Sequence, residues 1–195
     1  MPGKLYLIPT TIADDTQARV IPAHVYNTVA SLQYFLVEDV RTARRFISSL
    51  KVTDVSILDF KVLNKDTNGT DIVEGCAPLL QGHDVGVLSE AGCPGVADPG
   101  ALAVAYAHQH HVKVVPLVGP SSLLLALMAS GMNGQCFAFQ GYLPVDAAAA
   151  GQAIKNFERE SRIKQQTQIF IETPYRNNQV MKHLVTHLHE HTSLC

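Results

Sequence analysis

The stretch Val87-Leu-Ser-Glu-Ala-Gly-Cys-Pro-Gly-Val-Ala-Asp-Pro-Gly100 decides how the chain is read. Val85 to Leu88 is an apolar run of strand length, and it empties into a loop carrying Gly92, Pro94, Gly95, Pro99 and Gly100. Ala101-Leu-Ala-Val-Ala-Tyr-Ala107 then has the composition of a helix. A strand that feeds a glycine- and proline-rich loop and then a helix is the α/β arrangement that receives a ligand at the carboxyl edge of a sheet. Glycine lets the backbone approach a ligand closely, and proline fixes the loop in advance. The loop is not G-x-G-x-x-G, and no lysine follows its glycines as in a Walker A loop, which argues against a dinucleotide or a nucleoside triphosphate.

A second segment, Val112-Lys-Val-Val-Pro-Leu-Val-Gly-Pro-Ser-Ser122, repeats the strand and small-residue turn ahead of an apolar helix. Ser121 and Ser122 stand where hydroxyls cap free helix amides. Working outward, strands are expected at Leu5–Ile8, Tyr34–Val37, Val55–Phe60, Val85–Leu88, Val112–Leu117, Phe137–Phe139 and Gln168–Ile171. Helices are expected at Ala23–Leu32, Thr42–Leu50, Ile72–Gln81, Ala101–His110, Ser122–Ser130, Ala147–Ser161 and Tyr175–His189. Asp71 with Glu74 reads as a capping box. The alternation predicts two α/β domains, residues 1–133 and 134–195, with a mainly parallel sheet covered on both faces in the first. Pro9, Thr10 and Thr11 end the first strand and would border the same sheet edge as the two loops.

Composition narrows the function classes. With 47% hydrophobic and 16% charged residues the 195-residue chain is globular, not disordered. A net charge of -2 supplies no general basic field for nucleic acid, so any RNA contact must be local. Arg41, Arg44 and Arg45 fall at helical spacing on one face, which suits either a phosphate-binding patch or a solvated surface. Cys76, Cys93, Cys136 and Cys195 lack C-x-x-C spacing, so neither a zinc site nor a disulfide frame is expected, and a reducing cytoplasm fits. No signal peptide or membrane span is expected. His183, His187 and His191 recur at i, i+4, i+8 on one predicted helical face, but the glutamate of H-E-x-x-H is absent, so they read as a solvated face and no metal is expected.

Six segments occur in order: Leu5-Tyr-Leu-Ile-Pro-Thr-Thr-Ile12, Val37-Glu-Asp-Val-Arg41, Leu88-Ser-Glu-Ala-Gly-Cys-Pro94, Ala97-Asp-Pro-Gly100, Val114-Val-Pro-Leu-Val-Gly-Pro-Ser121 and Phe139-Gln-Gly-Tyr-Leu-Pro144. Together they resemble the tetrapyrrole methylase superfamily of S-adenosylmethionine-dependent methyltransferases. Within it they are most similar to the small-subunit ribosomal RNA ribose 2′-O-methyltransferase I branch. The chain departs from that pattern at Thr11-Ile-Ala-Asp14 (Pro-Ile-Gly-Asn in the family), at Val40 (threonine) and at Glu90-Ala-Gly-Cys-Pro94 (Asp-Ala-Gly-Thr-Pro). The resemblance implies a cofactor cleft between the two domains, with S-adenosyl-L-methionine held by Pro9, Gly92, Cys93, Val96, Ser121, Ser122, Phe139, Gln140 and Gly141. It also implies ribosomal RNA or the small ribosomal subunit as partner, a homodimer, and further strands after Cys195, so that the second domain is expected to be truncated.

Methyl transfer from a sulfonium is an in-line displacement that mainly needs alignment, worth up to ~7–11 kcal/mol. A ribose hydroxyl is a poor nucleophile, so a general base adds roughly 10²–10⁴-fold. Glu38, Asp39 and Glu90, at the carboxyl ends of apolar strands, are the candidate catalytic groups, although Asp39 with Arg41 also reads as a cap or ion pair. The expected function is methylation of an rRNA ribose. The alternatives are methylation of a corrin or porphyrin precursor and a non-catalytic cofactor-binding module of the same fold. Glu38-Asp39-x-Arg41 and Phe139–Pro144 favour the RNA branch.

Overall fold

Short apolar runs rich in β-branched and aromatic residues form the strands of the first half: β1 (Lys4–Ile8), β2 (Tyr34–Val37), β3 (Asp59–Val62), β4 (Val85–Leu88) and β5 (Lys113–Pro116). They pair in parallel in the order β3-β2-β4-β1-β5. The computed structural model describes every residue from Met1 to Cys195, and the chain divides into two units, Met1–Ser122 and Leu123–Cys195.

The strands of the first unit are joined by α1 (Gln17–Val20) and α2 (Ala23–Ser31), then α3 (Val40–Leu50), α4 (Gly69–Leu80) and α5 (Gly100–Gln109). Side chains alternate across a strand, and the two faces find different partners. Ile8, Phe35, Val37 and Leu88 pack with Val25 and Val29 of α2 and Ile47 of α3. Leu5, Leu36, Val85 and Val87 pack with Cys76 and Leu79 of α4 and Ala103 and Ala107 of α5. A parallel sheet needs this double cover, which is why β4, at the centre, is apolar and buried along its whole length.

The strand order positions the site. β1 and β4 are neighbours, with Ile8 opposite Leu88 at their carboxyl ends. The chain leaves β1 through α2 on one face toward β2, and leaves β4 through α5 on the other face toward β5. Adjacent strands whose connections depart in opposite directions open a crevice beyond their carboxyl ends.

The second unit carries most of α6 (Ser122–Ser130), then β6 (Phe137–Tyr142), α7 (Ala147–Lys164), β7 (Thr167–Ile171) and α8 (Asn177–His187). β6 and β7 form a two-stranded parallel sheet, with Ile154, Val180, Leu184 and Leu143 buried beside Phe170. Pairing skips from Phe139–Ile169 to Tyr142–Ile171, and the bulge is built on Gly141 at φ +70°. Asp146 caps α7, its Oδ1 accepting the Ala149 amide at 2.8 Å. Asp146→Ala should therefore lower the unfolding free energy of this unit by about 0.5–2 kcal/mol, read by denaturant titration. An unchanged midpoint would show that another group satisfies those amides.

Three expectations are corrected. Val55–Phe60 is not one strand: Val55–Ile57 is a 3₁₀ turn, because Asp54 Oδ1 takes the Ser56 amide at 2.9 Å, and β3 starts only at Asp59. The capping box is Asn68 with Asp71, not Asp71 with Glu74. Asn68 Oδ1 accepts the Thr70 and Asp71 amides, and Asp71 Oδ2 accepts the Asn68 amide, so the helix starts three residues early at Gly69. The last helix stops at His187, with Leu188 extended, so His183 and His187 share a face and His191 lies beyond it.

Candidate functional site

Hydrogen bonds tie together the loops that follow β1, β4 and β5. The Thr10 amide donates to Gly92 O at 2.8 Å, and its hydroxyl donates to Ser89 O at 3.3 Å. The Cys93 thiol donates to Pro120 O at 3.3 Å, and burial pushes that thiol above its ordinary pKa, keeping it a donor. Gly92 sits at φ +75°, where an added Cβ would stand 3.2 Å from Pro120 O. At Gly119 a Cβ would stand 2.1 Å from Pro9 Cβ. Pro9, Gly92 and Cys93 are thus brought together with Gly119 and Pro120. Ser121 is half-buried, Ser122 is exposed at the start of α6, and Val96 lies on the loop with 49% exposure. Farther along the loop Asp98 Oδ1 accepts two amides, from Gly95 at 2.7 Å and Gly100 at 2.6 Å.

The three candidate carboxylates differ in environment. Glu38 ends β2, next to β4, and its Oε1 accepts the Glu90 amide at 3.1 Å. Burial, and then the Asp98 carboxyl facing it, push Glu38 up to about 7, while the Glu90 amide pulls the other way. Asp39 caps α3 by accepting the Thr42 amide at 2.7 Å, and that bond holds its carboxyl below the usual value. Burial, followed by the neighbouring Asp39 charge, raises Glu90, with Thr42 and Arg45 opposing.

Arg41, Arg44 and Arg45 are exposed on α3, and none is ion-paired. Arg44 stacks over Phe60 at 5.4 Å, and the Arg45 charge acts on Glu90. The basic face therefore borders the end of the sheet that carries Glu38.

In the second unit, Phe139 is half-buried, Gln140 donates through Nε2 to Gln168 Oε1 at 2.6 Å, and Gly141 forms the bulge. A cavity of about 700 Å³ in this unit is lined by Phe157, Leu184, Leu188 and the chain after His189, and no candidate site residue lines it. No group of three His, Cys, Asp or Glu side chains is arranged to hold a metal ion. No helix is long and apolar enough to cross a membrane.

Sequence reading assigns no role to Ser89, Asp98 or Gly119. Asp98 had a signal: Asp followed by Pro-Gly is turn chemistry, in which the carboxylate takes amides of its own loop. Gly119 had none, since only the fold places it against Pro9.

The first unit is thus a parallel α/β sheet covered on both faces, with the loops after β1, β4 and β5 tied together by hydrogen bonds. No family model matches the chain. Among curated proteins it is similar to the ribosomal RNA small subunit methyltransferase I of Halalkalibacterium halodurans, 28% identical over 196 aligned residues, 99% of this chain and 63% of the relative. The protein of the same name from Vibrio cholerae is 31% identical over 174 residues, 88% of this chain and 56% of the relative. That of Mesorhizobium japonicum is 33% identical over 172 residues, 88% and 55% respectively. Over most of its length the chain is thus similar to proteins named ribosomal RNA small subunit methyltransferase I. It spans roughly three fifths of the length of the curated relatives it matches (63% and 64% of two of them).

Proposed function

We propose that the chain is an S-adenosylmethionine-dependent methyltransferase acting on a ribose 2′-hydroxyl of small-subunit ribosomal RNA. The observation that carries this reading is Glu38, a carboxyl raised to about 7 at the end of β2, one strand from the crevice between β1 and β4.

The residues at the crevice fit the cofactor. Pro9, Gly92, Cys93, Val96, Ser121 and Ser122 offer backbone, a hydroxyl-lined turn and an apolar surface, and no cation stands among them to repel a sulfonium. The carboxyls of Glu38 and Glu90 lie beside the loop and favour a positive ligand. Phe139, Gln140 and Gly141 join the set on the resemblance alone. When bound, S-adenosylmethionine supplies the methyl group.

The chain's own residues orient the acceptor and take its proton. Glu38 accepts the proton of the ribose hydroxyl, since a carboxyl titrating near neutrality is both ionised often enough and basic enough, and such a base contributes about 10²–10⁴-fold. Asp39 is committed to its cap. Arg41, Arg44 and Arg45 hold the RNA backbone. A ribosomal substrate carries with it a cytoplasmic setting. A homodimer belongs to the same reading: α6 leaves Leu124, Leu125 and Met128 exposed, and light scattering of Met128→Glu against the parent tests whether they are covered.

The decisive experiment is transfer of labelled methyl groups to small ribosomal subunits, with the parent and Glu38→Gln. At saturating S-adenosylmethionine the parent should label a ribose, with a rate that rises as pH increases through about 7 because the base must be ionised. Glu38→Gln should lose about 10²–10⁴-fold in kcat. Label found only in a corrin or porphyrin precursor would replace the substrate in this reading, and cofactor binding without transfer to any acceptor would replace the activity.

A further inference from the structure

Asp98 presents an unusual balance of partners. Its Oδ1 is crowded, accepting both the Gly95 and the Gly100 amides, and so folds the loop from 95 to 100 around one oxygen. A Cβ at Gly100 would stand 2.6 Å from that oxygen, so the loop has no slack there. Its Oδ2 is the opposite: it is buried and no N–H or O–H group of the chain donates to it. A buried carboxylate oxygen without a donor is costly and rare. Glu38 reaches the same loop, its Oε1 accepting the Glu90 amide at 3.1 Å, and its carboxyl neighbours that of Asp98.

A part-buried glutamate beside a second carboxyl favours keeping its own proton, and that O–H is a donor. The donor that Asp98 Oδ2 otherwise lacks is then the O–H of Glu38. The other charged groups around the pair do not relieve it. Glu90 adds negative charge beside Glu38, while Asp39 and Arg45 act on Glu90.

We infer that Asp98 is a positioning residue: with one oxygen it holds the loop Gly95–Gly100 in shape, and with the other it ties that loop to the side chain of Glu38 at the end of β2. The inference rests on the methyltransferase reading for its consequence, cofactor affinity, but not for its existence.

The sign follows from proton linkage. Between the ordinary glutamate range and about 7 the closed loop binds a proton that the opened loop does not, so raising pH favours opening. The loop should be tight under mildly acidic conditions and loosen as Glu38 loses its proton. Two substitutions separate the tie from simple packing. Glu38→Gln puts a permanent amide donor against Asp98 Oδ2. Asp98→Asn keeps Oδ1 for the Gly95 and Gly100 amides and turns the other atom into a donor toward Glu38.

The test is carboxyl ¹³C NMR of Glu38 together with amide hydrogen exchange at Gly95 and Gly100, on the whole chain. In the parent, Glu38 should titrate near 7, and protection of both amides, corrected for intrinsic exchange, should fall at least about tenfold between about pH 5.5 and 8.5. Protection should be flat with pH in Glu38→Gln and in Asp98→Asn, and Glu38 should return toward the ordinary glutamate range in the latter. A Glu38 midpoint in that ordinary range in the parent, or the same pH slope in Glu38→Gln, would overturn the inference. Calorimetry with S-adenosylmethionine forms a separate arm, in which affinity should follow the amide curve. Amides that respond to pH in a protein that never binds S-adenosylmethionine would refute the cofactor reading while upholding the tie.

Discussion

Gly92→Val is expected to abolish S-adenosylmethionine binding. Gly92 sits at φ +75°, a conformation that costs an L-residue roughly 1–2 kcal/mol and a β-branched residue more. The new Cβ would point at Pro120 O from 3.2 Å, so the loop after β4 must move away from the loop after β5. The hydrogen bonds that close this edge, Thr10 to Gly92 O and Cys93 to Pro120 O, would stretch together. The hydrophobic faces of the sheet lie behind this edge and do not include Gly92, so the fold should survive. Calorimetry should show affinity reduced by at least about 100-fold, equivalent to about 2.8 kcal/mol, with an unchanged circular dichroism spectrum. Undiminished affinity would remove this loop from the cofactor site.

Replacing Arg41, Arg44 and Arg45 together with glutamine is expected to weaken RNA binding and flatten its salt dependence. The three side chains are exposed and carry no ion pair, so their charge is available to phosphates. Each phosphate neutralised contributes about -0.7 (single strand) to -0.9 (duplex) to the log–log salt slope, so three contacts contribute about -2.1 to -2.7. Between about 50 and 200 mM salt the parent should lose about 20- to 40-fold more affinity than the triple variant. Arg44 also stacks on Phe60, and its loss will cost some packing, so binding is compared at matched folded fractions. Equal slopes would leave the three as a solvated face.

Local pattern made much of the architecture legible. β2, β4 and α6 fall where their apolar runs predict, because burial on both faces requires a continuous apolar strand and period and composition are local quantities. The errors were local too, and came from polar side chains that bond to nearby backbone. Asp54 turned the start of an expected strand into a 3₁₀ turn, and Asn68 took the cap assigned to Asp71. The helix expected to reach His189 broke at Leu188, which is extended, and this removed His191 from the histidine face.

What the sequence by itself determined is the α/β class: alternating strands and helices and a glycine- and proline-rich loop after a buried strand, while the six ordered segments resemble those of a methyltransferase family. What only the tertiary structure decided is which of those residues meet. Glu38 and Asp98 are far apart in the chain, as are Pro9 and Gly119, and each pair is joined by the strand order β3-β2-β4-β1-β5. That order is a non-local choice. It depends on how each crossover packs its helix against one face or the other, and no window of sequence holds that information. The same order part-buries Glu38 and sets the Asp98 carboxyl beside it, so burial first and that neighbour second push a glutamate that reads as ordinary in the sequence up to about 7.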